Sequence, residues 1–328
     1  MLSRRGFVIA AALAPLAKRR AAQAEAAYPN HTIKILVGYP AGGGVDIVAR
    51  LVADPMKDAL GEPVIVENRA GAAAMIAAQA VATANDGGHT LLMAAAGEVA
   101  VNQHLYKSKM QYDPLQDLVP VALAGIVPCV VVVSAKSEVR TPSELVAYAK
   151  VNRGKLSFSS SGVGNPQHLA GELMNRMAGT DVLHVPYRGS APAVTDVAAG
   201  SVTMSFSSLA AALPLIQAGE IRAVAVTSKE RMPQLPDVAP LSDGPGLNGY
   251  ELLNWFAMFA PASTPEPIVA RLNQIVSKIL QDPAIAAKLE VQGIVPRPMT
   301  ATQLRGFVRS ESEKFGKIIE IANIRSED

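Results

Sequence analysis

Short runs of β-branched and aliphatic residues alternate along the chain with stretches whose apolar residues recur every three or four positions. The runs at 32–37, 64–67, 90–94, 119–127, 130–134, 155–159, 182–185, 202–206 and 221–227 read as strands. Helical stretches lie between most of them, which predicts an α/β architecture with largely parallel sheets. A helix opens at Val45, runs through Leu51 and Val52 and stops at Gly61; Pro55 interrupts it, with Asp54-Pro55 as cap and first residue of a restart. The same pairing recurs at Asn165-Pro166, Thr264-Pro265 and Asp282-Pro283, and Thr300 with Gln303 forms a capping box that opens the last helix. The runs 121–127 and 221–227 are apolar, and neither leads directly into an amphipathic helix, so they read as crossings between two lobes. Lobe 1 is then 25–126 with 227–328, and lobe 2 is 127–226. No repeat of 20 to 50 residues, low-complexity tract or heptad pattern is present.

The first residues change the picture of where this chain works. Ser3-Arg4-Arg5-Gly6-Phe7 precedes an apolar run, 8–17, and small residues ending Ala22-Gln23-Ala24. A basic start, a short apolar core and an A-x-A site make an export signal over 1–24, cleaved near Ala24. The Arg pair with Gly-Phe, and the bases Lys18, Arg19 and Arg20, resemble a twin-arginine signal; a general secretory signal with an incidental Arg pair is the plainer alternative. Beyond Ala24 no apolar stretch approaches the roughly 20 residues that span a bilayer. The expected location is the periplasm, as a soluble protein.

Loss of 1–24 removes five basic residues and leaves 25 Lys and Arg against 28 Asp and Glu. Clustered bases for nucleic acid or an anionic membrane are not evident. The lone cysteine, Cys129, sits in an apolar run and reads as a buried strand residue, so no disulfide contributes and packing must hold the fold. A chain of this length suffices for two cores.

Two strands run into loops of small residues that open helices: ILVGYPAGGGVD (35–46) and LSFSSSGVGNPQHLAGE (156–172). A helix start carries amides without intrahelical acceptors and the positive end of the helix dipole, so a loop without bulky side chains lets an anion reach them. The first loop supplies Tyr39, Pro40, Ala41, Gly42, Gly43 and Asp46; the second supplies Ser160, Ser161, Gly162, Val163, Gly164, Asn165 and His168. The plainer explanations are a tight strand-to-helix turn for the first and a solvated Ser/Gly turn for the second. Tyr39 either stacks on a flat ligand or packs at the strand end. Asp46 either faces the helix dipole and nearby backbone or, for an amine-bearing ligand, the ligand itself. His168 faces a cleft, caps or packs; with Glu172 four residues on it makes no metal site, because no other histidine supplies matching spacing. Tyr187 with Arg188 opens a further helix in PYRGSAPA, and one of them is expected to touch the ligand or the closed lobe interface, a surface arginine being the plainer explanation.

PAGGGVD (40–46), VIVENRAGAAA (64–74), YDPLQDLVPVAL (112–123), SGVGNPQHLAGELM (161–174), HVPYRGSAPAVTDVAAG (184–200), LPLIQAGEIRAVAVTS (213–228) and NWFAMFAPASTP (254–265) occur in that order. Together they resemble the tripartite tricarboxylate transporter receptor family, the Bug proteins, over essentially the whole chain after Ala24. The resemblance implies a two-lobed periplasmic-binding-protein fold of the type II Venus-flytrap kind, each lobe a mixed β-sheet flanked by helices. It also implies a monomeric solute receptor that closes on a small carboxylic or amino acid for delivery to a membrane permease, without cofactor, metal or catalysis. By the same resemblance Ala96, Gly97, Glu98 and Ser207 join the ligand-binding set. Glu98 stands where hydroxyl residues and Gly are commoner, and Ser207-Ser208 replaces a frequent Asp-Asn pair. A cleft-facing Glu98 favours an amine-bearing acid; a solvent-facing one says nothing.

Two alternatives are carried forward. The receptor presents its ligand to a membrane sensor, or the chain is a secreted serine hydrolase using Ser160 or Ser161 with His168 or His184. Against the hydrolase, G-x-S-x-G is absent and no Asp is evidently placed to orient a histidine.

Overall fold

The computed structural model describes residues 28–325; the export-signal reading of 1–24 lies outside them. Among the described residues nine strands are present: β1 (Ile33–Val37), β2 (Val64–Asn68), β3 (Thr90–Ala95), β4 (Leu118–Ser134), β5 (Leu156–Ser160), β6 (Val182–Pro186), β7 (Met204–Ser208), β8 (Ile221–Val226) and β9 (Leu253–Pro261). Their order is β2-β1-β3-β9-β4-β7-β5-β6, with β8 on the other side of the distal half of β4.

The α/β alternation read from the sequence holds, and each end of this order is a parallel triplet. β1 lies between β2 and β3, parallel to both, and β5 lies likewise between β6 and β7. Antiparallel β9 and β4 join the triplets. β4 is one 17-residue strand where the sequence suggests two: 118–128 pairs with β9, and 129–134 pairs with β7 and β8. All but two of its residues are buried, so nothing polar marks the passage from one sheet to the next. The run 221–227 places β8 antiparallel to 130–134 at the edge of the second sheet, and the chain leaves that sheet at Thr227. Thr227 N–H donates to Cys129 O (2.9 Å), Thr227 Oγ1 accepts from Cys129 N–H (2.8 Å), and Leu252 N–H donates to Thr227 O (3.1 Å).

Helix α1 (Gly44–Leu60) buries Val45, Val48, Ala49, Val52, Ala53, Met56 and Leu60, the stripe expected of a helix on a sheet, and ends at Gly61 in the left-handed region. It runs unbroken through Pro55, contrary to the expected restart. The apolar stripe continues on both sides of the proline, so packing outweighs the local hydrogen bond that proline removes. α2 (Met75–Ala82), α3 (Asn102–Leu105), α4 (Pro142–Val151), α5 (Pro166–Ala178), α6 (Ser190–Ala199), α7 (Leu209–Gln217), α8 (Glu266–Leu280), α9 (Pro283–Val291) and α10 (Ala301–Ala322) complete the fold. The caps at Asn165 and Asp282 and the box of Thr300 with Gln303 form as expected; α8 is the exception, because Pro265 itself occupies the cap position and Thr264 makes no cap. α10 packs against both α5 and the turn Gly97–Val101, so one helix touches elements of both sheets.

Candidate functional site

The residues singled out by sequence gather at the carboxyl ends of the two parallel triplets. Tyr39 to Asp46 follow β1, Ala96 to Glu98 follow β3, Ser160 ends β5 and Ser161 to His168 follow it, Tyr187 follows β6, and Ser207 is the penultimate residue of β7. Parallel strands feeding helices leave the helix N-termini at that edge, which is where open α/β sheets bind ligands.

The first loop is held from beneath. Asp46, 2% exposed, accepts from Gly42 N–H (2.9 Å) and from Asn68 Nδ2 (2.8 Å), and it pairs with Arg50 at 2.9 Å. Asn68 Nδ2 also donates to Tyr39 O (3.0 Å), tying β2 to the loop. Burial opposes ionisation of Asp46, but the bonds from Arg50, Gly42 and Asn68 outweigh it and hold the carboxyl below its ordinary range. Its oxygens are spent on the protein's own donors, so the reading of Asp46 as a direct ligand contact gives way to one of loop support. Pro40, Ala41, Gly42 and Gly43 are exposed. Gly42 adopts φ +83°, a conformation that glycine takes without strain. Gly43 is the cap of α1, and the amides of Gly44, Val45 and Asp46 above it have no intrahelical acceptor. From β9, the Phe256 ring packs under Gly44, 3.2 Å from where a Cβ would stand.

Ala96, Gly97 and Glu98 are buried, Ala96 capping a single wide helical turn, Gly97–Val101, that holds the other two. Glu98 faces neither a cleft nor solvent. With none of its surface exposed, it accepts from the Tyr39 hydroxyl (2.7 Å) and from Ala95 N–H (3.0 Å). The expected direct contact of this segment with a ligand is therefore corrected: the wide turn points the carboxyl inward. Tyr39 correspondingly spends its hydroxyl on Glu98.

The second loop is more self-contained. Asn165 Oδ1 caps α5 through His168 N–H (3.0 Å), while Asn165 Nδ2 donates to Ser161 Oγ (2.8 Å). Ser161 N–H donates to Gln167 Oε1 (2.8 Å), and Gly164 N–H to His168 Nδ1 (3.0 Å). His168 therefore packs and orders the loop, its ring stacked on His184 at 3.7 Å. Burial pushes His168 down to about 4, and burial with the neighbouring His168 pushes His184 down to about 3. Ser161, Gly162, Val163 and Asn165 keep partial exposure, whereas Ser160 and Ser207 are fully buried. Gly164 (φ +75°) meets the first sheet's side of the molecule: a Cβ there would stand 2.5 Å from Leu105 Cδ1. Tyr187 is engaged elsewhere, donating to Asp196 Oδ2, a bond that raises its hydroxyl to about 12.

Ser160 Oγ lies 2.7 Å from His184 Nε2, the spacing of a nucleophile and its base. The chemistry does not follow. The serine is sealed from solvent, it also donates to Gly162 O (3.0 Å), and a histidine held near 3 is a poor proton acceptor.

Sequence reasoning missed one feature. Ala72, Ala73 and Ala74 all have positive φ (46°, 51° and 68°), and Ala74 lies against Gly38 at the end of β1. Three alanines in the left-handed region carry strain of about 1–2 kcal/mol each. The AGAAAM stretch gave no sign of it, since alanine ordinarily signals helix. Two surface grooves of about 310 Å³ lie elsewhere, one beside Arg153, Arg176 and Ile321 and the other beside Ile216, Arg222 and Leu235; neither includes a residue of the two loops.

Residues 48–324 match the family model described as the tripartite tricarboxylate transporter family receptor. The chain belongs to this family. Among solved structures, the receptor chain is similar to R. palustris Rpa4515 with adipate (TM-score 0.83, 33% identity, 91% of this chain and 99% of that one). It is similar also to the periplasmic binding protein BugD (0.80, 30%, 92% and 100%). MatC from Rhodopseudomonas palustris, with bound malate, gives 0.78 and 32% over 89% and 100%. The two-lobed periplasmic-binding-protein fold expected from the sequence is thus the fold of this chain.

Proposed function

We propose that this receptor works in the periplasm and closes on a small dicarboxylate, one carboxylate lying on the amides at the start of α1 and facing the Ser161 to Asn165 loop at the start of α5. The observation that carries the reading is that both loops are pre-shaped by internal hydrogen bonds while the amides above Gly43 stay without intrahelical acceptors. Charge-assisted bonds contribute about 1.5–3 kcal/mol each, so three or four supply the roughly 8 kcal/mol of micromolar binding. The ligands named for the adipate and malate neighbours support the class. Burial of Glu98 removes the feature that favoured an amine-bearing acid.

The two lobes are 25–126 with 227–328, and 127–226. Closure bends the chain where Thr227 is tied to Cys129 and Leu252, and the ligand acts by favouring the closed population. The role is capture for a tripartite tricarboxylate permease, without catalysis or metal. The sensor alternative has no residue that favours it. Thermal-shift measurements on residues 25–328 with adipate, malate, citrate and glutamate test the reading: ligand at 100 times its dissociation constant stabilises by about 2.7 kcal/mol. Absence of a shift with every acid would refute it.

A further inference from the structure

Glu98 differs from Asp46 in one respect that bears on an anion site: among the described residues it has no cation partner. Asp46 is paired with Arg50. Glu98 Oε1 accepts from Ala95 N–H and Oε2 from the Tyr39 hydroxyl, and the titratable groups facing it are Tyr39 and Tyr112, the latter donating to the Glu98 carbonyl oxygen at 2.6 Å. On the elements packed against this turn, Glu311 of α10 pairs with Lys314 at 3.2 Å and His104 of α3 is bonded to Ser312 at 3.0 Å. An ionised Glu98 is therefore an uncompensated buried negative charge, joined by Tyr39 to the residue that begins the first loop.

We propose that Glu98 is a proton-binding positioning residue of this loop: it holds Tyr39 at the root of Pro40–Gly43, and its protonation favours a carboxylate on the loop, so that ligand and proton bind together. The inference rests on the carboxylate reading above. The proton comes from solvent and no covalent bond changes. Desolvation raises the Glu98 carboxyl to about 7, against the pull of bonds from Tyr39, its own N–H and Ala95 N–H. Neutral pH then divides the receptor between two forms, and a second anion nearby selects the protonated one. The sign without ligand is fixed as well. The folded state holds this proton more tightly than the unfolded chain, so its stabilising contribution is complete below about 4.5 and is lost as pH rises through about 7.

The test compares wild type with Glu98→Gln, using adipate and malate as probes. Calorimetric titration at pH 6 and pH 8, in buffers of different ionisation enthalpy, reads affinity and protons taken up; urea unfolding across pH 5–8 reads the ligand-free titration. If only the protonated form binds, the competent fraction falls from about nine-tenths to about one-tenth between these pH values, and wild-type Kd rises about tenfold. Glu98→Gln is expected to bind at both pH values with the wild-type affinity of pH 6. A wild-type Kd that is flat with pH, or the same slope in both proteins, overturns this inference and leaves the receptor reading standing. Failure of both acids to bind wild type at pH 6 overturns the dicarboxylate reading and the inference with it. Tyr39→Phe serves if Glu98→Gln does not fold: it removes a bond that favours the ionised form, so the pH midpoint of affinity loss moves upward, and an unmoved midpoint refutes the coupling.

Discussion

Replacing Gly43 by leucine separates what the first loop does for the fold from what it does for a ligand. Gly43 sits at φ −76° and ψ 162°, extended backbone open to any residue, and a Cβ there meets nothing closer than Pro40 O at 3.5 Å. The structural cost is the loss of a residue favoured at helix caps, about 1 kcal/mol or less. Gly42, one residue earlier, is the reverse case. At φ +83° with nothing within 4 Å of its Cβ, alanine finds space but a strained backbone, about 1–2 kcal/mol.

The leucine side chain projects from an exposed position beside the amides of Gly44 and Val45. Blocking two charge-assisted bonds removes about 3–6 kcal/mol, which is roughly a hundredfold to ten-thousandfold in Kd. Urea unfolding of both variants, with adipate and malate titrations alongside, makes the comparison. Gly43→Leu is expected to unfold close to wild type and to lose measurable binding, while Gly42→Ala loses stability. Wild-type affinity in Gly43→Leu, or a larger stability loss there than in Gly42→Ala, would show that the loop is only a turn.

Three further outcomes follow from the geometry. Ala73→Gly relieves a left-handed alanine at φ 51°; relief of about 1–2 kcal/mol, less about 0.5–1 for the freer unfolded chain, leaves a gain of up to about 1.5 kcal/mol in the free energy read by urea unfolding, and a loss would mean that the strain is not where the backbone puts it. Gly171→Ala sets a methyl 2.2 Å from the Phe158 ring, so overpacking costs about 1–3 kcal/mol, part of which Phe158→Leu restores in the double variant; additive losses would refute the clash. A serine-reactive phosphonate is expected to leave the protein unlabelled by mass spectrometry, because Ser160 is buried and His184 is held near 3; stoichiometric labelling would reopen the hydrolase reading.

What the sequence shows of this molecule is the local part. Both loops are visible because a helix start has its own grammar: a strand, small residues, a cap, then a periodic apolar stripe. Eight of the nine strands are visible as short β-rich runs for the same reason. The ninth, β9, hides in LNWFAMFAP, an unalternating aromatic and apolar stretch whose strand character comes from pairing with β3 and β4 along its two edges while helices pack on the sheet. The site's inner supports are equally out of reach. Asp46 looks like a helix-start acid until Asn68, 22 residues away, is seen to share it with Gly42, and Glu98 reads as either cleft-facing or solvent-facing until the wide turn is known to carry it inward. These are long-range pairings, and no local spacing encodes them.

The division of labour between the two triplets follows from this architecture. Each central strand, β1 and β5, is flanked by parallel neighbours on both sides and feeds its helix at the same edge of its sheet, so two helix N-termini are produced by one topological rule applied twice. Antiparallel β9 and β4 link the triplets with a continuous hydrogen-bonded path, which permits bending without exposing unpaired backbone. The loops differ in how they are finished. The second spends its serine and asparagine groups on itself and meets Leu105 through Gly164, giving a rigid wall. The first is propped by Asp46 and Asn68 and leaves the amides of Gly44, Val45 and Asp46 without intrahelical acceptors, the seat proposed for an anion. On the proposed dicarboxylate reading, a clamp of this kind needs no arginine at the carboxylate, because the backbone dipoles are already oriented when the ligand arrives and little ordering remains to oppose binding.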